Sequence, residues 1–243
     1  MLPAGGDTLS GVPVTTDRVP RTFDDLLARA RALPRDGRRA LLGIAGSPGA
    51  GKTTLAERLV DALNGDGPRW AAQVPMDGFH LADAELDRLG RRDRKGAPDT
   101  FDAGGYAALL RRLREESGEV VYAPGFERVL EQPLAGAIPV PPEVRLVVTE
   151  GNYLLLTEGS WARVRPCLDE VWFCEIDEAE RIRRLVARHE EFGKEHAAAV
   201  AWVRGPDQRN ADLVASTRER ADLLVPATAC SGRRTAPPGL HEI

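Results

Sequence analysis

Eight consecutive residues, Gly46-Ser47-Pro48-Gly49-Ala50-Gly51-Lys52-Thr53, have the types and spacing to hold a polyphosphate. They match G-x-x-x-x-G-K-[ST], the phosphate-cradling loop also known as Walker A. Small residues let the backbone wrap tightly, so that its N–H groups point at phosphate oxygens. Lys52 then reaches the β- and γ-phosphates, and the Thr53 hydroxyl ligates Mg²⁺. Gly46 through Thr54 are therefore the expected nucleotide-binding residues, with Lys52 also expected to act in catalysis.

Two carboxylates supply the remaining chemistry. Asp77 lies in Met76-Asp77-Gly78-Phe79-His80 and Glu150 in Thr149-Glu150-Gly151-Asn152-Tyr153, each directly after an apolar run. Phosphoryl transfer to a hydroxyl needs one acid to help hold Mg²⁺, which prefers hard oxygen ligands. It needs another to accept the proton of the attacking hydroxyl. Glu150 ends a hydrophobic segment and is assigned, with Thr53, to the metal. Asp77 is assigned as the base, with Gly78 beside it letting a substrate approach closely. The reverse assignment stays open. Taken singly, each acid could equally cap a turn or a strand end; two of them beside a phosphate loop favour the chemical reading.

These residues require strands and helices to position them. Ala40 to Ala45 read as a buried strand before the loop. Leu55, Leu59, Ala62 and Leu63 fall on one face of a helix after it, which Asn64-Gly65 can end. Thr22-Phe23-Asp24-Asp25 matches a capping box that opens a helix through Leu33. Further strands are expected over 69–76, 119–122, 144–149, 171–176 and 223–225. Helices are expected over about 82–89, from Asp102 to about 116, over 178–192, and over 195–218 with a break at Gly205-Pro206. Residues 91–101 read as a loop. The proline- and glycine-bearing stretch 123–143 is too long for a plain connection and reads as a functional excursion or a small hairpin. Strands alternating with helices predict an α/β three-layer sandwich whose mostly parallel sheet is covered on both faces. Ligands gather at the carboxyl ends of such strands, where the phosphate loop, Asp77 and Glu150 all fall. A loose tail over 1–20, one domain over 21–228 and a second tail over 229–243 complete the division.

Composition narrows the classes. With 33 basic and 37 acidic residues the net charge is −4, which gives no reason to expect nucleic acid as a partner. Basic residues cluster at Arg91, Arg92, Arg94 and Lys95, and again at Arg181, Arg183, Arg184 and Arg188; each cluster alone is more often a solvated face. The three cysteines form no C-x-x-C pair, and the four histidines lack metal-ligand spacing. No run approaches the ~18 apolar residues of a membrane span, and residues 1–20 lack the apolar centre of a signal peptide. A cytoplasmic protein without membrane partners is expected.

The chain resembles the phosphoribulokinase/uridine kinase family of P-loop kinases, particularly its pantothenate-kinase-like branch. The resemblance spans about 25–226. It rests on Gly46 to Thr54, Met76 to His80, Arg94-Lys95-Gly96-Ala97-Pro98-Asp99-Thr100-Phe101-Asp102, Glu150 to Tyr153, and Arg184 to His189 followed by Asn210. It implies a P-loop NTPase sandwich with a small lid. The activity implied is ATP- and Mg²⁺-dependent phosphorylation of a hydroxyl on a small metabolite: a nucleoside, a pantothenate-like alcohol or a sugar. Asp77 matches the catalytic aspartate, and Arg184 and Arg188 match catalytic lid arginines, against the alternative of helix-surface pairing with Glu180 or Glu191. Asn210 matches a residue near the nucleotide. Asp77, His80, Arg94, Lys95, Asp102, Glu150, Asn152 and Tyr153 match the substrate side. Tyr122-Ala123-Pro124-Gly125-Phe126-Glu127-Arg128 departs from the family's patterns, so the acceptor is not named; Glu127 and Arg128 either contact substrate or pair with each other on an exposed loop. A nucleotide-hydrolysing regulatory or binding protein without an acceptor is the alternative function. A polynucleotide kinase would need a basic stripe with aromatics, which is lacking. A homodimer is an open oligomeric state.

Overall fold

Residues alternate between two cores along each strand, and this alternation builds the sheet. A computed structural model describes residues 22–65, 67–115 and 118–230. The tail expected at 1–20, and all of the tail expected at 229–243 except Ala229 and Cys230, lie outside them. In chain order, β1 (Ala40–Ala45) and β2 (Ala71–Gln73) precede a hairpin of β3 (Val121–Glu127) and β4 (Gln132–Val140). Then come β5 (Leu146–Glu150), β6 (Glu170–Cys174) and β7 (Leu223–Val225). The main sheet has the order β2-β5-β1-β6-β7, every pairing parallel. Leu41, Val147, Val171 and Phe173 point into one core, while Leu42, Ile44, Val148 and Trp172 point into the other.

Eight α-helices flank these strands among the described residues: α1 (Phe23–Arg31), α2 (Lys52–Asn64), α3 (Asp83–Arg88), α4 (Ala103–Glu115), α5 (Glu178–Glu191), α6 (His196–Trp202), α7 (Gln208–Ala215) and α8 (Ala227–Cys230). The capping box is formed: Asp25 N donates to Thr22 Oγ1 at 3.2 Å and Thr22 N to Asp25 Oδ2 at 3.0 Å. Leu26 of α1 and Leu55 and Leu59 of α2 fill one core. Tyr106, Leu110 and Leu113 of α4 fill the other. Gly205-Pro206 sits in a π-helical turn, Val203–Asp207, because Pro206 has no N–H to continue an α-helix between α6 and α7. Among the described residues no helix is long and apolar enough to cross a membrane.

Three expectations change. The strand expected over 69–76 is confined to Ala71–Gln73; after Pro75 the chain turns through a 3-10 helix, Met76–Phe79. The strand expected over 119–122 begins at Val121 and runs on to Glu127, and it pairs antiparallel with β4 outside the main sheet. Pro124 is tolerated there because a two-stranded ribbon has only edges, and the register shifts between Ala123 and Gly125. The segment 91–101 contains two 3-10 turns, Arg92–Arg94 and Pro98–Thr100.

Candidate active site

The register of the sheet places the chemical groups together. Ile44, two residues before Gly46, lies opposite Glu150, and Gln73 lies opposite Val148. The phosphate loop, Glu150 and the Asp77 turn therefore leave adjacent strands at the same edge. Gly46 (φ 146°) and Gly51 (φ 88°) hold backbone conformations open to glycine. Each is also crowded: a Cβ on Gly46 would lie 2.8 Å from the Cys174 carbonyl oxygen, and one on Gly51 would lie 3.2 Å from Cys230 Cβ.

Lys52 begins α2 and is only 8% exposed. Its Nζ donates to Ser47 O at 3.1 Å and to Asn152 Oδ1 at 2.7 Å. Burial lowers its pKa, while Glu150 and Asp77 oppose that shift. Thr53 Oγ1 donates to Glu150 Oε1 at 2.9 Å. Glu150, 5% exposed, has its pKa raised by burial and by the charge of Asp77; Lys52, the Thr53 hydroxyl and Arg128 pull the other way. The charge of Asp77 acts on Lys52, His80, Tyr106, Glu150 and Tyr153, so Asp77 lies near the cluster. Buried together, Lys52 and Glu150 each oppose the effect of burial on the other's proton affinity.

Beneath them, Thr149 Oγ1 donates to Val74 O at 2.5 Å and meets Tyr106 Oη at 2.6 Å, tying α4 and β5 to the residue that follows β2. No local pattern announces this bracket, since its three members come from distant segments.

On the other side of Asp77, the His80 ring stacks 3.9 Å from Phe101 and 5.2 Å from Phe126. Its Nδ1 is buried without a hydrogen-bond partner. Burial first, with help from Lys95, pushes its pKa down to about 4 against Asp77 and the acids Asp83 and Glu131. Tyr153 donates its hydroxyl to Gly96 O, and Asn210 Nδ2 donates to the same carbonyl at 3.4 Å. Asn210 therefore braces the 91–101 segment. Lys95 Nζ bonds Asp83 Oδ1 at 2.7 Å and Glu131 O at 2.6 Å. Arg94 and Asp102 are engaged elsewhere: Arg94 pairs with Asp99 at 2.6 Å, and Asp102 Oδ1 caps α4 by accepting from Gly105 N at 2.8 Å. Asp102 also borders a cavity of about 630 Å³ with Phe101, Leu156, Trp161 and Arg220, none of them phosphate-loop residues.

Gly78 serves a different contact from the one expected. A Cβ there would lie 2.8 Å from Pro124 C and closer still to Pro124 O. The hairpin, rather than a substrate, takes the space that glycine leaves. The hairpin also brings Arg128 to the site. This partly buried arginine makes no ion pair with Glu127, whose Oε1 accepts from Val129 N at 3.0 Å, and its charge acts on Glu150.

On α5, Arg184 Nε pairs with Glu180 Oε1 at 2.7 Å. Its Nη1 also lies 3.8 Å from where a Gly51 Cβ would be, so the pairing and the approach to the loop coexist. The charge of Arg188 is felt at Lys52. Arg181 was not singled out as a site residue, yet it is 4% exposed and its Cγ lies 3.5 Å from the Cβ position of Gly49. It donates to Gln208 and keeps Nη1 buried without a partner. Its i, i+3 spacing to Arg184 was the available signal.

Comparison with known proteins follows this geometry. A family model described as methylmalonyl Co-A mutase-associated GTPase MeaB matches residues 17–77, the stretch that holds β1, the phosphate loop and the Asp77 turn. A Schizosaccharomyces pombe protein described as a putative uridine kinase is 34% identical over 173 residues, covering 69% of this chain and 74% of its own. The crystal structure of a putative fructose transport system kinase from Silicibacter is 39% identical, with a TM-score of 0.76 over 84% of this chain and 99% of that one. YFH7 of Saccharomyces cerevisiae, described as a putative P-loop containing kinase with a circular permutation, shares the fold at 20% identity. Its TM-score is 0.71 over 84% of this chain and 97% of its own.

Proposed function

This chain belongs to the P-loop kinases of the uridine kinase and phosphoribulokinase type, and from that premise we propose that it transfers the γ-phosphoryl group of ATP to a hydroxyl of a small metabolite. The acceptor classes that fit are nucleosides, pantothenate-like alcohols and sugars. One observation carries the reading: the first turn of α2 is hydrogen-bonded to the end of β5 twice, Lys52 to Asn152 and Thr53 to Glu150, with Asp77 facing both. A phosphate-binding lysine, an oxygen pair for a cation and a second carboxylate are the parts that phosphoryl transfer requires.

Each residue then has a task. Backbone N–H groups of Gly46 to Thr54 and the ammonium of Lys52 hold the phosphates. Thr53 Oγ1 and Glu150 Oε1, 2.9 Å apart, are hard oxygens suited to Mg²⁺, which takes few protein ligands and completes its shell with water and phosphate oxygens. Bound there, the ion would neutralise charge on the phosphates. Asp77 accepts the proton of the acceptor hydroxyl. Arg184 and Arg188 reach the phosphates from α5, and Arg181 backs them at Gly49. Positioning and fixed charge supply most of the catalysis, because a loose phosphoryl transition state needs little covalent help.

The deciding experiment is ADP release by purified protein with and without a panel of nucleosides, vitamins and sugars, with phosphorylated product read by mass spectrometry. Acceptor-dependent ADP release with a new phosphoester supports the kinase. Equal release in both arms supports a nucleotide-hydrolysing regulator instead. Asp77→Asn should lower phosphoryl transfer by about 10²-fold or more, the scale of general-base loss, while ATP affinity stays within about twofold. Collapse of ATP affinity would make Asp77 a metal or structural group.

A further inference from the structure

The kinase reading above leaves the acceptor open, and the hairpin narrows it. We propose that Arg128 binds an anionic group, carboxylate or phosphate, carried by the acceptor, so that the substrate is an acidic or phosphorylated alcohol rather than a neutral nucleoside or free sugar.

Arg128 follows β3, the strand whose Pro124 is seated on Gly78, one residue after the proposed base. The hairpin is tied down on this side of the site by two more contacts. Lys95 Nζ donates to Glu131 O at 2.6 Å, and Asp83 N donates to Gln132 Oε1 at 3.3 Å. Arg128 is thus held on the acceptor side of Asp77. The phosphate side is already supplied with cations by Lys52 and the α5 arginines.

Arg128 itself is partly buried and makes no hydrogen bond or ion pair among the described residues. The neighbouring acids are committed: Glu127 to the Val129 N–H, Glu150 to the Thr53 hydroxyl, and Asp83 to Lys95 and Arg92. A guanidinium drawn out of water without a partner is unfavourable, and its planar fork matches a carboxylate or a phosphate in two parallel hydrogen bonds. What completes Arg128 is therefore an anion brought from outside, beside the hydroxyl that faces Asp77. His80 supplies the second unmatched group. Its buried Nδ1 lacks a partner, and its ring lies 5.2 Å from Phe126, two residues before Arg128. A neutral imidazole there suits one further hydroxyl or carbonyl of the acceptor.

The test uses matched pairs of ligands: pantothenate with panthenol, gluconate with glucose, and fructose 6-phosphate with fructose. Each is titrated calorimetrically into full-length protein saturated with a non-hydrolysable ATP analogue and Mg²⁺, and then assayed with ATP. Wild type should bind at least one anionic member at least about tenfold more tightly than its neutral counterpart. Arg128→Ala should weaken that binding by about 30-fold or more, the scale for truncating one side of a charge pair. Arg128→Lys should recover it in part, and affinity for the ATP analogue should stay within twofold. Preference for neutral members, no binding of any anionic member, or loss of analogue affinity in Arg128→Ala would each overturn the inference. Phosphorylation of neutral alcohols alone, insensitive to Arg128→Ala, would leave the kinase standing and remove this inference. Arg128-dependent anion binding without any phosphoryl transfer would do the reverse.

Discussion

Replacing Gly78 with alanine should uncouple the acceptor half of the site from the nucleotide half. The backbone at Gly78 has no left-handed φ, so an added Cβ brings no intrinsic strain. It does bring a collision. The new atom would lie 2.8 Å from Pro124 C and 3.2 Å from Pro124 Cγ, and closer still to Pro124 O, where ordinary contact starts near 3.4 Å. The obstruction is backbone and cannot rotate away, so the hairpin must retreat by at least about 0.6 Å. Phe126 rides on that strand and Arg128 follows directly after it. A displacement of roughly 1 Å at groups that position a substrate costs about 10²-fold in rate, and overpacking of this kind costs about 1–3 kcal/mol in stability. Acceptor KM should rise or kcat fall to give that 10²-fold loss in kcat/KM. ATP affinity, measured by calorimetry, should stay within about twofold, because no atom of the phosphate loop meets the new methyl group. Gly118→Ala is the control: a Cβ there meets nothing within 4 Å. If Gly78→Ala matched wild type in both kcat/KM and thermal unfolding, the hairpin's seat on the Asp77 turn would not set the geometry of the site.

Two further substitutions, at Lys52 and His80, probe the same site. Lys52→Ala removes the buried ammonium that bonds Ser47 O and Asn152; turnover should fall by about 10²-fold or more, the scale for one key transition-state donor, and wild-type turnover would refute its role. His80 has a folded-state pKa of about 4 against an ordinary 6.5, so the unfolded chain takes up its proton first. Its contribution to stability is therefore fully present above pH 6.5 and is lost as pH falls toward 4, by about 3 kcal/mol in all. Denaturant unfolding of wild type and His80→Leu across pH 7 to 4 should show the wild type losing that much more, the surrounding Asp77, Asp83, Glu131 and Lys95 being common to both; parallel curves would count against a neutral, buried His80.

How much of this was legible in the sequence depended on whether the controlling contact was local. The capping box at Thr22, the Asp102 cap of α4 and the phosphate loop are each written within four to nine residues, and each forms at the expected position. The parallel sheet was legible because alternating apolar segments leave few other ways to bury both faces. Contacts between distant segments were not. Gly78 and Pro124 are far apart in sequence, and nothing near either one announces that a hairpin carbonyl will fill the glycine's space. The place of Arg181 among the α5 arginines was hidden for a related reason. Arg181, Arg184 and Arg188 look alike in sequence, and only the packing of α5 on the loop shows that Arg181 is the one buried at Gly49.

The two acids illustrate how such distant contacts create chemistry. Asp77 and Glu150 repel each other, and the chain must hold them together in spite of that. It does so with glycines on neighbouring turns. Gly151 lies against Met76, where a Cβ would come within 2.6 Å of the sulfur, and Gly78 lies against Pro124. One contact draws the backbone after Glu150 onto the residue before Asp77; the other clamps the residue after Asp77 from above. Burial first, and then the charge of Asp77, raise the pKa of Glu150, and Lys52 and the Thr53 hydroxyl oppose that rise. The loop's own hydroxyl and ammonium thus favour the charged form of this carboxylate. Asp77 itself lies on the turn between these two glycine contacts, and its charge acts on Lys52 as well as on Glu150. The two acids thus have different neighbours, although their side chains are chemically almost the same.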